Sequence, residues 1–115
     1  MSVIIYHNPR CSKSRQTLQL LGEQGVEPRI IEYLNSPPSA SELKQVLELL
    51  GIGPRELMRK NEAVYGESGL KDEGLSEDAL IEAMVTYPIL IERPIVIANG
   101  KARIGRPPES VLEIV

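Results

Sequence analysis

With 115 residues, 42% of them hydrophobic and 25% charged, the chain has the composition of one folded domain able to bury a core without disulfides or a structural metal, which excludes a disordered tail or a fibrous repeat. A net charge of −3 with scattered basic residues, four tyrosines and no Phe or Trp argue against nucleic-acid binding by either a basic stripe or a base-stacking platform. One Cys and one His allow no intrachain disulfide and no ordinary metal-ligand cluster, and no apolar run suits a signal peptide or a membrane span, so no membrane association and a cytoplasmic location are expected.

Val3-Ile4-Ile5-Tyr6 reads as a buried strand and His7-Asn8-Pro9-Arg10 as the turn that ends it. Cys11 follows directly. From Ser12 onward, Thr17, Leu18, Leu20 and Leu21 recur at helical spacing, with Gly22 and Gly25 as the stop. Residues 29–34 give a second strand, and the helical crossover makes the pair parallel and right-handed. Ser39 and Glu42 form a capping box ahead of Leu43, Val46, Leu47 and Leu50, and Gly51 closes that helix. Pro54 suits the first turn of a short helix carrying Leu57 and Met58. The polar, glycine-containing run 61–73 is expected to be a surface loop, after which Ser76 caps a helix presenting Ala79, Leu80, Met84 and Val85 and ending at Pro88. Asn99-Gly100, between apolar runs at 94–98 and 101–104, is the strongest short-range signal of a hairpin. Pro107 and Pro108 open a last short helix holding Val111, Leu112 and Val115.

The expected fold is therefore α/β: βαβ, a run of helices, then ββα. Apart from the inserted helices this is thioredoxin-like order, with a mixed sheet in a single domain over residues 1–115 and a helical insertion at about 39–88. No internal repeat, low-complexity stretch or linker interrupts it.

In open α/β sheets ligands bind beyond the carboxyl ends of the parallel strands, and Cys11 sits where the first strand hands over to its helix. Free N–H groups and the positive end of the helix dipole favour thiolate over thiol and also hold anions. Arg10, Lys13 and Arg15 add charge of the same helpful sign. The competing reading, a small buried hydrophobe, suits these polar neighbours poorly. His7 is placed either to raise the local positive charge or to orient the loop, and an unremarkable strand-end histidine is the alternative. Ser14, three residues after Cys11, lies on the same side of the first turn, within reach of the sulfur, although an ordinary first-turn serine has the same spacing. Cys11-Ser12-Lys13-Ser14 is C-x-x-S, not the C-x-x-C of a dithiol redox enzyme, and Thr17 stands six residues on, where the small tyrosine phosphatases carry arginine. Any covalent intermediate on Cys11 must be resolved by an external thiol or by water.

Four fragments in register, Tyr6-His7-Asn8-Pro9-Arg10-Cys11-Ser12-Lys13-Ser14-Arg15, Leu57-Met58-Arg59-Lys60-Asn61, Ile91-Glu92-Arg93-Pro94-Ile95-Val96 and Gly105-Arg106-Pro107, with Tyr33-Leu34 and Pro37-Pro38 between them, resemble the glutaredoxin-linked arsenate reductase family over nearly the whole chain. The resemblance implies a thioredoxin-like fold with a helical insertion, no bound cofactor or metal, and reduction of arsenate to arsenite with glutathione as co-substrate and glutaredoxin as partner. On this likeness Cys11 is the nucleophile that forms a thioarsenate. Arg59, Arg93 and Arg106 match the oxyanion-binding arginines, and His7 and Ser14 the supporting positions. Planar guanidinium forks suit a tetrahedral oxyanion, binding its oxygens bidentately. In thioredoxin folds the proline before the third strand is typically cis, which makes Pro94 the cis candidate.

Arg10 and Lys13 flank the cysteine where better-characterised arsenate reducers carry small neutral residues. The alternative reading is a monothiol oxidoreductase acting on glutathione mixed disulfides. A redox-linked regulatory interaction protein ranks lower, because Ser14 stands where such sensors carry their second cysteine.

Overall fold

Val3–Tyr6 forms strand β1, Ser12–Glu23 helix α1 and Arg29–Ile31 strand β2 in the computed structural model, which describes residues 2–115. The chain divides into two compact units, Met1–Ser36 with Arg93–Val115, and Pro37–Glu92. In the first, β2 runs parallel to β1, pairing Ile5 with Ile30. Strands β3 (Ile95–Ala98) and β4 (Lys101–Ile104) complete a four-stranded mixed sheet of order β2-β1-β3-β4, with β3 antiparallel to both of its neighbours. The hairpin at Asn99-Gly100 forms as the sequence predicts. Both turn residues have positive φ, 54° and 73°, which Asn and Gly tolerate and which matches the strands' twist.

Alternation along β1 and β3 sends Val3, Ile5, Val96 and Ala98 to one face, where they pack with Leu21 of α1 and with Val111 and Ile114. The last element is a 3-10 helix, Pro108–Glu113, rather than an α-helix. Its three-residue turn explains why Val111 and Ile114 are the buried pair, where α-helical spacing pointed to Val111, Leu112 and Val115. Asn99 Nδ2 donates to the Ile114 carbonyl at 2.7 Å and ties this end to the hairpin. Strand β2 is shorter than residues 29–34. Asn35 and Ser36 both donate their N–H to the Glu32 carbonyl at 3.0 Å, so the chain turns where the apolar run suggested it would continue.

The unit Pro37–Glu92 is helical. Helix α2 (Ala40–Leu50) carries the expected capping box, with Ser39 Oγ accepting from Glu42 N–H at 3.1 Å and Glu42 Oε1 accepting from Ser39 N–H at 3.0 Å. It ends on Gly51 at φ 71°. A short helix α3 (Pro54–Leu57) follows, and helix α5 (Glu77–Thr86) starts from the Ser76 cap. The run 61–73 is not a plain loop: it holds helix α4 (Ala63–Glu67), and Arg55 anchors it by donating to Tyr65 Oη, the Leu70 carbonyl and the Asp72 carbonyl at 2.7, 2.7 and 3.0 Å. Polar composition concealed this order, because its organising group is one arginine from outside the segment. Among the described residues no helix is long and apolar enough to cross a membrane.

Of the glycines in the first unit, Gly105 has the least room for a side chain. Its N–H donates to the Pro94 carbonyl at 2.9 Å, and a Cβ there would lie 2.5 Å from Thr17 Oγ1 and 2.7 Å from Pro94 Cγ. Gly105→Ala is expected to lower stability by about 1–3 kcal/mol through overpacking, read as a fall in the urea midpoint. An unchanged midpoint would show that α1 and Pro94 can move apart freely.

Candidate active site

Cys11 is the residue that begins α1, in extended conformation at φ −92° and ψ 123°. Its N–H donates to the Asn8 carbonyl and its own carbonyl accepts from Arg15 N–H, both at 3.0 Å, so the loop closes on the helix with the cysteine at the junction. Its side chain caps nothing. The first-turn N–H groups of α1 thus lack a capping side chain, the local setting that favours anions at a helix start. Cys11 is 8% exposed.

The sulfur meets a cation from the far end of the chain. Arg106 Nη2 lies 3.7 Å from Cys11 Sγ, and Arg106 Nε donates to the Arg93 carbonyl at 2.9 Å. One guanidinium therefore spans the gap between the cysteine and Arg93, two residues before β3. The Arg93-Pro94 and Arg106-Pro107 peptide bonds are both cis; the sequence singled out only the first. The Nε and Nη1 atoms of Arg93 are buried, so this arginine presents donors in a shielded place where they act more strongly than in water.

Behind the cysteine, the loop hangs on Ser14. This fully buried side chain has its Oγ 2.6 Å from His7 Nδ1 and accepts from Asn8 N–H at 3.0 Å. The hydroxyl is taken up by the loop rather than by the sulfur. Burial, the largest influence, lowers the His7 pKa from its ordinary 6.5; the negative charge of Glu32 opposes this and the positive charge of Arg15 adds to it. A neutral imidazole follows at neutral pH, so His7 orients the loop and adds no charge to it. Asn8 Oδ1 accepts from Arg10 N–H, and Arg15 Nη1 donates to the Pro9 carbonyl, both at 3.0 Å. These local bonds fix all four turn residues.

Cys11, His7, Ser14, Arg93 and Arg106 all belong to the first unit. Arg59 belongs to the Pro37–Glu92 unit. There Arg59 Nη1 pairs with Glu62 Oε1 at 2.7 Å, its Nε lies 3.8 Å from Glu92 Oε1, and its N–H donates to the Leu90 carbonyl. Sequence reasoning missed these two carboxylates, and also Thr17 and Gly105, which set the spacing between α1 and the strand that Pro94 opens. Glu62 follows Arg59 at i+3, a spacing that could have revealed it; Glu92 carried no local signal. Among the described residues no group of three or more His, Cys, Asp or Glu is placed to hold a metal ion.

Residues 6–114 match the family model described as the ArsC family. An Escherichia coli (strain K12) protein named YfgD is 63% identical over 114 residues, covering 98% of this chain and 96% of its own. An arsenate reductase from Haemophilus influenzae is 50% identical over 116 residues and covers all of both chains. The solved structure of an arsenate reductase from Vibrio cholerae, 57% identical, superposes with a TM-score of 0.97 over 100% of this chain and 98% of that one.

The buried imidazole gives stability a pH dependence of defined sign. Because its folded-state pKa is lowered, the unfolded chain takes up a proton at higher pH than the folded one does, so the stability His7 contributes is lost as pH falls through about 6.5 toward the lowered folded value. The urea midpoint is expected to decline between about pH 7 and 5 in the parent and less steeply in His7→Gln. Parallel slopes would deny the buried imidazole this role.

Proposed function

The chain belongs to the ArsC family, and from that premise we propose that it is an arsenate reductase with Cys11 as nucleophile. The observation that carries the reading is Arg106 Nη2 at 3.7 Å from Cys11 Sγ, at the open start of α1. A cation so placed supports negative charge on sulfur before attack and on oxyanion oxygens afterwards. The scaffold is read as one thioredoxin-like domain interrupted by the helical unit Pro37–Glu92.

The chemistry follows from the thiol count. Cys11 thiolate attacks arsenic(V) and an oxygen leaves as water, giving a thioarsenate with arsenic still at +5. Glutathione displaces a second oxygen as water, so that arsenic is bonded to both sulfurs. A glutaredoxin thiol then attacks the glutathione sulfur. The new S–S bond forms as the glutathione S–As bond breaks, and that bond's electron pair stays on arsenic and reduces it to +3. Water releases arsenite and regenerates the Cys11 thiol. In total, arsenate and two thiols give arsenite, one disulfide and one water. The single cysteine calls for external thiols, and the family resemblance implies that these are glutathione and glutaredoxin. The cytoplasm, where the glutathione pool keeps thiols reduced, is the fitting compartment.

Arg93 and Arg106 are the proposed oxyanion ligands in the first unit, Arg93 through its shielded donors. The family resemblance gives Arg59 the same task, which a rise in the KM for arsenate in Arg59→Gln would support. His7 and Ser14 are positioning residues: they hold the loop that holds the sulfur. The competing reading keeps the same nucleophile and exchanges the electrophile for a glutathione mixed disulfide.

Cys11→Ser is expected to reduce arsenite formation, with glutathione and glutaredoxin present, to background while leaving the circular dichroism spectrum unchanged. Arg106→Ala should cost about 10²-fold in kcat/KM for arsenate, the scale of losing one donor to a developing oxyanion, with Arg106→Lys in between. Failure of the parent to reduce arsenate, together with rapid deglutathionylation of a test protein, would favour the competing reading.

A further inference from the structure

Between the loop that leads to Cys11 and the turn that follows β2 lies a cavity of about 330 Å³, lined by His7, Asn8, Arg10, Glu32, Leu34 and Asn35, with Pro9. Its volume is within the roughly 300–1,000 Å³ range of small-molecule sites. It sits past the carboxyl ends of the parallel pair β1 and β2, where open α/β sheets take their ligands.

Its charges are unusual in being opposite and unspent on each other. The Arg10 guanidinium and the Glu32 carboxylate both face solvent, and neither makes an ion pair or a side-chain hydrogen bond among the described residues. The Glu32 charge is nonetheless felt by His7 at the cavity wall. Asn35 offers a side-chain amide with no partner among the described residues, and Leu34 is 41% exposed and supplies an apolar surface. A simple oxyanion is opposed here by Glu32, and the lining holds no Phe, Tyr or Trp for a nucleotide base to stack on. What fits is a ligand with an ammonium and a carboxylate set apart on one flexible peptide frame.

We propose that this cavity is the subsite for the thiol co-substrate, a γ-glutamyl peptide thiol of the glutathione type, with Arg10 taking a carboxylate and Glu32 the α-ammonium. The inference rests on the reading of Cys11 as the residue whose arsenic adduct glutathione attacks. The strand order β2-β1-β3-β4 gives it a geometric logic. Arg106, from the end of β4, meets the sulfur from one side, and the cavity opens on the β2 side of the loop that ends at Cys11. Oxyanion and incoming thiol are thereby given separate approaches. A peptide thiol held by its two charged ends keeps its central sulfur free to reach arsenic.

The test compares two thiols and adds a direct binding measurement. Arsenate reduction is measured with glutathione and with 2-mercaptoethanol, which has no charged ends, in the parent, Arg10→Glu and Glu32→Lys, with Arg10→Lys as the conservative control. The ratio of kcat/KM for glutathione to that for 2-mercaptoethanol should drop about tenfold in each charge reversal, equivalent to about 1.4 kcal/mol, and recover most of the parent value in Arg10→Lys. In parallel, the parent is titrated with unreactive S-methylglutathione and followed by amide chemical shifts, expected to move at Asn8, Arg10 and Asn35. Ratios within twofold of the parent, or shifts confined to other residues, overturn the subsite even where arsenate reduction is robust. If the parent reduces no arsenate the functional reading fails, and the titration alone then decides the subsite: shifts at those three amides uphold it, and their absence overturns it.

Discussion

The loop that carries Cys11 depends on one buried hydroxyl. Ser14 Oγ sits between His7 Nδ1 and the Asn8 N–H, and so fastens the end of β1 to the first turn of α1 from inside. A buried polar group left unmet costs about 1–3 kcal/mol, more than a typical hydrogen bond contributes. The loop is therefore held as much by the penalty of parting the buried Ser14 and His7 as by the bonds themselves. Two consequences follow. The Cys11 N–H is delivered to the Asn8 carbonyl, which puts the sulfur at the helix start. The imidazole is kept neutral by burial, so it works as a hydrogen-bonding strut. The positive charge beside the sulfur then has to come from elsewhere, and Arg106 brings it from 95 residues away in sequence.

That long-range delivery explains the packing at Gly105. For Arg106 to reach Cys11, the chain leaving β4 must run close to both α1 and Pro94, and only a residue without a side chain passes between Thr17 and the proline ring. Thr17 in turn spends its hydroxyl on the Lys13 carbonyl one turn back, so the surface it offers Gly105 is fixed. Helix, strand opening and arginine thus form one rigid fitting, with the Arg93 carbonyl as its pin.

Much of this was legible in the sequence, wherever a local rule governed. The capping box at Ser39 and Glu42, the Asn99-Gly100 hairpin and the strand-loop-helix around Cys11 are short-range events whose residues announce their conformation. Reading failed where a distant group, or a backbone turn that side-chain pattern does not encode, decided the outcome. The run 61–73 looks like loop because its own residues are polar, yet Arg55 organises it from outside. Strand β2 stops early because backbone carbonyl Glu32 accepts two turn N–H groups, which no apolar pattern encodes. The last helix winds as 3-10, so helical spacing missed Ile114 as the fully buried partner of Val111, while Val115 packs only partly buried against the same core. At the site, the residue types were visible but not their division of labour. Ser14 lay at the right spacing to serve the sulfur, and only the positions of His7 and Asn8 show that the loop claims it.

The solitary cysteine imposes the final constraint. An enzyme with a C-x-x-C pair carries its resolving thiol within one helical turn, at high effective concentration and without a binding site. Here the corresponding position is Ser14, whose hydroxyl is already committed to structure. Such a protein must capture its second thiol from solution, and capture by diffusion alone wastes the orientation that an intramolecular thiol enjoys. A surface beside the nucleophile that can grip a small charged thiol restores part of that advantage. The unpaired charges of Arg10 and Glu32, costly neither to folding nor to solubility because both are exposed, supply one on the side of the loop that Arg106 leaves open.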